Sequence, residues 1–174
     1  MAAEPLRVRF ARPEDDGAIG ELLVDAFISA YAKKLPAVVY DDGRKSALRA
    51  VAEKRAVALV WVAELAGRVV GTVSLYPPGA AGSEAWLSGA ADLRHLAMQP
   101  DLQGKGLSGA LLDAAERTAF ERGIRTVCLH VRQQAVGVAR LYQRRGYQRD
   151  PSGDLRYPTV ELQAYVLRPP EDDY

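Results

Sequence analysis

The sequence is poor in the residues that covalent and metal staples require. Its 174 residues hold one cysteine, Cys128, so no intramolecular disulfide can form. The histidines are His95 and His130, and with a single cysteine they make no cluster of zinc-ligand spacing, so no metal is expected. No stretch approaches the roughly 18 apolar residues of a membrane span. The opening Met-Ala-Ala-Glu-Pro-Leu-Arg lacks the charged-then-apolar order of a secretory signal. An excess of one charge is missing too: 23 Lys and Arg stand against 22 Asp and Glu, a net +1. Dedicated nucleic-acid binders carry a strong basic excess or stripe, so nucleic acid is not an expected partner. Internal repeats and low-complexity blocks are absent. The composition that remains, 48% hydrophobic and 26% charged, excludes a wholly disordered or collagen-like chain. At about 100–200 residues per domain, the expectation is one cytoplasmic domain over 1–174, with no membrane partner. Its core spans about residues 6–167 and a tail covers 168–174.

The periodicity orders the elements. Leu6 to Phe10 alternates as a half-buried strand. Pro13 and the acids after it open a helix over 14–28, with Ile19, Leu22, Leu23, Ala26 and Phe27 at helical spacing. A second helix is expected from Asp41-Asp42-Gly43 to about Arg55, with Ala47, Leu48, Val51 and Ala52 on one face. Residues 59–63 and 69–75 read as strands joined by an Ala66-Gly67 turn. Residues 77–90 read as a loop, 92–98 as a strand, and 107 to about 123 as a helix. A strand over 126–131, a short helix over 135–145 closed by Gly146, and a last strand over 159–167 complete the order, with one extra strand expected near Tyr147. Hairpin strands followed by a β-α-β crossover imply a mixed sheet with helices on both faces, an α/β three-layer domain.

The most informative segment is Gln103-Gly104-Lys105-Gly106-Leu107-Ser108-Gly109, set between a strand and a helix. Its glycines let the backbone turn sharply and approach a ligand. The first N–H groups of the following helix lack internal partners and its dipole is positive there, so a pyrophosphate is the natural occupant. Gly104, Gly106 and Gly109 also satisfy the dinucleotide pattern. That fold wants its first glycine directly after the strand and an acid at the end of the next one. Here Gln99 to Gln103 intervenes and the next strand ends His130-Val131-Arg132, so an NAD(P) oxidoreductase is disfavoured. A nucleotide P-loop fails as well, because Gln99 stands where its first glycine belongs and Gly106 where its Ser or Thr does.

The run Leu96-Ala97-Met98-Gln99-Pro100-Asp101-Leu102-Gln103-Gly104-Lys105-Gly106-Leu107-Ser108-Gly109 resembles the acyl-CoA motif of the GNAT N-acetyltransferase superfamily, Q/R-x-x-G-x-G/A. Gln103 and Gly106 match it; Ser108 takes the place of the last small residue and Gly109 follows one step late. A second block, Leu129-His130-Val131-Arg132 and then Leu141-Tyr142-Gln143-Arg144-Arg145-Gly146-Tyr147, resembles the family's L-x-V-R and L-Y-x-x-x-G-F/Y. The Asn frequent seven residues before that Tyr is Ala135 here.

The resemblance implies a mostly antiparallel mixed sheet with a splayed central parallel pair, and acetyl-CoA as cosubstrate. Leu96, Ala97 and Met98 would pair with pantetheine through their backbone, and the Met98 amide would face the thioester oxygen. The amides of 104–109 would hold the pyrophosphate, with Lys105 adding a cation. The reaction would be direct attack of a neutral amine acceptor on the thioester. Tyr142 stands where the family places its general acid. His130 stands where relatives place a Glu or His base, and its ordinary pKa of about 6.5 suits that role. His95, Asp92 and Glu84 are alternative bases, the last two through water, and a substrate arriving deprotonated would need none. A Cys128–His130 pair would allow an acyl-cysteine route.

Acceptor recognition is expected from 29–40, 77–90 and 148–158, where Tyr31, Tyr40, Tyr76, Trp86 and Tyr157 lie in or beside loops, either as pocket walls or as packed anchors. Asp41, Asp42, Glu84 and Asp154 are the acids within reach of a cationic amine. Lys33-Lys34 and Arg144-Arg145 read as solvated surface pairs. An edge strand near the C-terminus would support a homodimer. A non-catalytic acyl-CoA sensor is the competing reading.

Overall fold

The computed structural model describes residues 4–29 and 42–169. Two compact units divide the chain, Met1–Ser74 with His95–Ala115 and Leu75–Arg94 with Glu116–Tyr174.

In the first unit, β1 (Arg7–Phe10) pairs antiparallel with β2 (Leu59–Leu65), in a register running from Arg7–Glu64 to Phe10–Trp61. The chain leaves β1 through a 3-10 turn, Pro13–Asp15. Asp15 pins that turn: its carboxylate takes the Arg12 N–H at 2.7 Å and a two-pronged bond from Arg9 at 2.7 and 3.0 Å. Helix α1 (Asp16–Val24) follows and runs on as a single π turn, Asp25–Ser29. Its apolar stripe, Ile19, Leu22, Leu23 and Val24, packs on Leu48, Val51, Val60, Val62 and Ala97. The helix expected to run to Arg55 is two, α2 (Asp42–Arg49) and α3 (Val51–Val57). Ala50, at φ −77° and ψ 55°, leaves the helical region and re-aims the following turn. Leu48 and Val51 therefore go inside, while Ala47 and Ala52, assigned to the same face by one continuous helix, are exposed. The β2–β3 turn is the expected Ala66-Gly67, with φ of 51° and 76°. It leads into β3 (Arg68–Tyr76), and the strand order is β1-β2-β3-β4, with β4 at Ala91–Met98.

In the second unit, β4 and β5 (Val127–Arg132) run parallel through the pairs Ala91–Val127 and Asp92–Cys128. β8 (Val160–Leu167) lies antiparallel along β5, from Val127–Leu167 to Arg132–Leu162. The strand expected near Tyr147 is β6 (Gln148–Arg149), paired to β8. Segment 148–158, read as a loop, also holds β7 (Leu155–Tyr157), which pairs with the start of β8. β7 is three residues long with two exposed, too short to show alternation. Helix α4 (Ser108–Glu121) precedes β5 and α5 (Val136–Arg144) follows it. Residues 77–90 hold no helix or strand, yet Ala85, Trp86 and Leu87 pack on Ala90, Cys128 and Val166. The sheet is mixed and mostly antiparallel with β4 and β5 parallel, the expected α/β class. Among the described residues, no helix is long and apolar enough to cross a membrane.

Candidate functional site

The candidate residues fall into one group in each unit. In the first unit, β4 ends Leu96-Ala97-Met98, with Ala97 and Met98 buried. Gly71 on β3 makes room for them, since a Cβ there would collide with the Met98 sulfur and meet the Ala97 carbonyl at 3.2 Å. The Gln99 N–H donates to the Val70 carbonyl at 2.8 Å. Successive peptides of a strand point to opposite sides. The Met98 N–H therefore points away from β3.

The turn Pro100–Leu102 then lifts the chain into the loop. Gln103 Nε2 reaches back to the Met98 carbonyl at 3.4 Å, tying the loop to the strand end. Gly104 and Gly106 stand at φ 76° and 73° on either side of Lys105, and a Cβ on either would meet nothing within 4 Å. Glycine is needed there for its backbone freedom, not for space. The two left-handed glycines bend the chain sharply on either side of Lys105, just ahead of the following helix. Helix α4 starts at once with Ser108, so Leu107, Ser108 and Gly109 stand at its N-terminus, where N–H groups lack partners. Gly109 lies within the first turn of α4. Gly104, Lys105 and Gly106 are exposed.

His95 belongs to this unit. At φ 57° it is a left-handed residue inside β4 and breaks the strand's alternation. Its Nδ1 lies 3.4 Å from Lys54 Nζ and its ring meets Phe27 edge-on at 6.1 Å.

The second unit gathers the remaining proton-handling candidates. His130 Nε2 lies 2.7 Å from the Gly153 carbonyl. A carbonyl only accepts, so Nε2 is the donor in this contact. Nδ1 lies 4.0 Å from Glu84 Oε2. Trp86 presses edge-on against the imidazole at 5.1 Å, and its indole N–H donates to Asp150 at 2.9 Å. Asp92 is fully buried. One oxygen takes the Glu84 N–H at 2.8 Å, and the other, Oδ1, has no protein partner. Burial pushes its carboxyl up to about 6, against the Glu84 N–H and the Arg94 charge. Arg94 also pairs with Glu84 at 3.2 Å and lies over the buried Tyr76 ring. Cys128 is buried, and desolvation with the Asp92 charge lifts its thiol to about 11, so a thiolate is disfavoured.

Tyr142 is buried on α5, and its ring meets Tyr147 edge-on with centroids 5.3 Å apart. Burial, with the charge of Glu116, holds its phenol well above the ordinary tyrosine range. Glu116 is the residue that sequence reasoning passed over. It follows Leu112 by four positions and precedes Ala119 by three, so it falls on the buried stripe of α4, and an acid there signals a partner. The partner is Arg145, read as half of a solvated pair but bonded to Glu116 at 2.8 and 3.1 Å. Of the loop aromatics, Trp86 and Tyr76 are packed anchors and Tyr157 is half exposed. Tyr31, Tyr40, Lys33, Lys34 and Asp41 lie outside the described residues. Asp42 is exposed, and Asp154 is paired with Arg149. Among the described residues, no group of three or more His, Cys, Asp or Glu is placed to hold a metal.

Solved structures share this fold. An acetyltransferase of the GNAT family from Staphylococcus aureus Mu50 aligns at TM-score 0.72 and 15% identity, over 94% of this chain and 99% of that one. The PaiA N-acetyltransferase of Thermoplasma acidophilum, solved with coenzyme A, aligns at 0.66 and 17%, over 92% and 98%. The ribosomal-protein-S18-alanine N-acetyltransferase of Escherichia coli aligns at 0.66 and 17%, over 93% and 91%. The sequence model of the Acetyltransferase (GNAT) family matches residues 18–147, a span that contains both the glycine loop and the Tyr142 block. With that match over most of its length, the chain belongs to the GNAT acetyltransferase family.

Proposed function

We propose that the protein transfers the acetyl group of acetyl-CoA to a primary amine, on a small molecule or at a peptide N-terminus, by direct attack in a ternary complex. The observation that carries this reading is the pair of left-handed glycines, Gly104 and Gly106, leading straight into helix α4. That backbone suits a pyrophosphate, and coenzyme A is present in the Thermoplasma neighbour. The Escherichia coli neighbour acetylates an alanine, in keeping with an amine acceptor.

The amides of 104–109 bind the phosphates and Lys105 adds charge. Leu96, Ala97 and Met98 line pantetheine with their backbone. The Met98 N–H meets the oxygen that becomes an oxyanion on attack; losing such a donor costs about 3–4 kcal/mol of barrier. An alkyl ammonium of pKa ~10 must first lose a proton. His130, with Glu84 4.0 Å from its Nδ1, receives that proton directly or through water. Tyr142 donates to the departing sulfur. Direct attack is preferred to an acyl-cysteine because the Cys128 thiol is buried and raised. A lone cysteine with no disulfide suits a reducing compartment such as the cytoplasm.

Calorimetric titration with acetyl-CoA, with NADH as control, followed by thiol release against a panel of amines, tests the proposal. Micromolar acetyl-CoA binding with release on any amine supports it. Binding with no release across the panel favours a sensor, and no acetyl-CoA binding ends the reading.

A further inference from the structure

The carbonyl that His130 Nε2 meets at 2.7 Å belongs to Gly153, the last residue of a 3-10 turn, Pro151–Gly153. Both flanks of that turn are tied to one residue of β8. The Asp150 N–H donates to the Ala164 carbonyl at 2.9 Å, and the Ala164 N–H donates to Asp154 Oδ1 at 2.9 Å. Ala164 is also the residue of β8 that pairs with His130 on β5. The turn is therefore pinned to the sheet at the register position of the imidazole it touches. The Asp150 side chain closes it. Its Oδ1 caps the turn, accepting the Ser152 N–H at 3.1 Å and the Ser152 hydroxyl at 2.6 Å. Its main-chain carbonyl accepts the Gly153 N–H at 3.2 Å. Its Oδ2 accepts the Trp86 indole N–H at 2.9 Å, and the Trp86 ring lies edge-on to the imidazole with centroids 5.1 Å apart. We propose that Asp150 is a positioning residue for His130: it fixes the Gly153 carbonyl and the Trp86 ring against the imidazole, so that Nε2 keeps its proton and Nδ1 is the nitrogen left to take one.

The use of this arrangement in catalysis rests on the acetyltransferase reading. A base must present its lone pair in a set direction. A neutral imidazole has one N–H and two nitrogens to carry it, and the bond made by one nitrogen decides the state of the other. The bond from Nε2 to Gly153 does not survive the other tautomer, because a carbonyl has no proton to give. The lone pair of the neutral ring then lies on Nδ1, toward Glu84 Oε2 at 4.0 Å. When Nδ1 takes a proton, the ring becomes a cation beside that carboxylate and Nε2 still donates to Gly153. Both charge states use one ring position, so the imidazole has no need to turn during proton transfer. Holding a reacting group in its working orientation in this way lowers the barrier before the chemistry starts.

The test is 1H–15N NMR of the full chain with 15N-labelled histidine, without CoA or amine, at pH ~9, where an ordinary imidazole is neutral. The chain has two histidines, and the His130 signals are those lost in His130→Ala. Wild type is expected to show the Nε2 proton as a discrete resonance in slow exchange with water, and Nδ1 as a bare nitrogen. In Asp150→Ala that proton should exchange with water about fivefold faster or more, as expected for a lost cap. Asp150→Asn keeps an oxygen to cap the turn and should exchange like wild type. In turnover with the amine that gives the fastest thiol release, Asp150→Ala should lower kcat about ten- to a hundredfold with KM for acetyl-CoA unchanged, and Asp150→Asn should restore most of it. A wild-type ring with its proton on Nδ1 overturns the proposal, whether or not the Ala variant folds. Equal protection of the Nε2 proton in Asp150→Ala and wild type overturns it too, as does an unchanged kcat. If acetyl-CoA does not bind, the acetyltransferase reading fails, while the NMR result still decides whether Asp150 fixes His130.

Discussion

Asp92 carries a pH signature of its own, because burial acts on it with only a partial set of bonds. Its folded pKa is about 6, and an unfolded aspartate titrates at ~3.9. Between those values the folded chain binds more protons than the unfolded one, so this group's contribution falls as pH rises. It is fully present below about pH 4 and lost as pH passes about 6. A shift of roughly two units is worth about 3 kcal/mol. Asn does not titrate. Urea unfolding of wild type and Asp92→Asn, compared at pH 4 and pH 8, should therefore show the variant gaining about 3 kcal/mol relative to wild type at the higher pH, whatever fixed offset the amide introduces. A difference that does not change with pH would mean that Asp92 is solvated or paired in solution. The strand position of Asp92 was legible in the sequence; its full burial was not. Its orphaned oxygen was not, because that depends on which loop residue comes to cap it, here the Glu84 N–H.

Two glycines on different elements separate crowding from freedom. Gly153 sits in the 3-10 turn Pro151–Gly153, and a Cβ there would collide with the Trp86 ring. The indole cannot simply swing away, since its N–H is bonded to Asp150. Gly153→Ala should cost about 1–3 kcal/mol and change the near-ultraviolet signal of Trp86. Gly137, in α5, has nothing within 4 Å of its absent Cβ. Gly137→Ala should stabilise by about 0.5–1 kcal/mol through helix propensity. Equal effects from both would remove the Trp86–Gly153 contact from the argument. That contact also shows where reading the sequence runs out. Strands, the Ala66-Gly67 turn and the glycine loop follow from local pattern and lie where periodicity puts them. The break at Ala50 does not, because no Gly or Pro marks it and Leu48 and Val51 still fit one continuous helix. The short β7 strand, the Trp86–Gly153 packing and the Arg145–Glu116 pair arise from contacts between residues distant in sequence. Charge spacing and composition made Arg145 look like surface, and only the α4 stripe hinted otherwise.

For the whole molecule, the two compact units divide the proposed labour. The cosubstrate residues, 96–98 and 103–109, belong to one, and Tyr142 and His130 belong to the other. Binding and turnover should therefore separate by mutation. A ligand that binds only the folded chain stabilises it by RT ln(1 + [L]/Kd), about 2.7 kcal/mol at a hundredfold excess over Kd. For a chain of this size, that is a rise in Tm of roughly 5–10 °C. Acetyl-CoA should produce that rise in wild type, in Tyr142→Phe and in His130→Ala, while NADH should produce none. Gly106→Val should abolish it, because a β-branched residue resists φ of 73° and the loop would lose the left-handed bend that leads into α4. The loop is exposed, so the variant's own Tm should stay close to wild type. Tyr142→Phe should then lose at least about a hundredfold in kcat with its acetyl-CoA affinity kept. If Gly106→Val still shows the full acetyl-CoA shift, the pyrophosphate is held elsewhere. If Tyr142→Phe loses the shift along with its activity, Tyr142 belongs to binding, and the proton delivered to sulfur must come from another group.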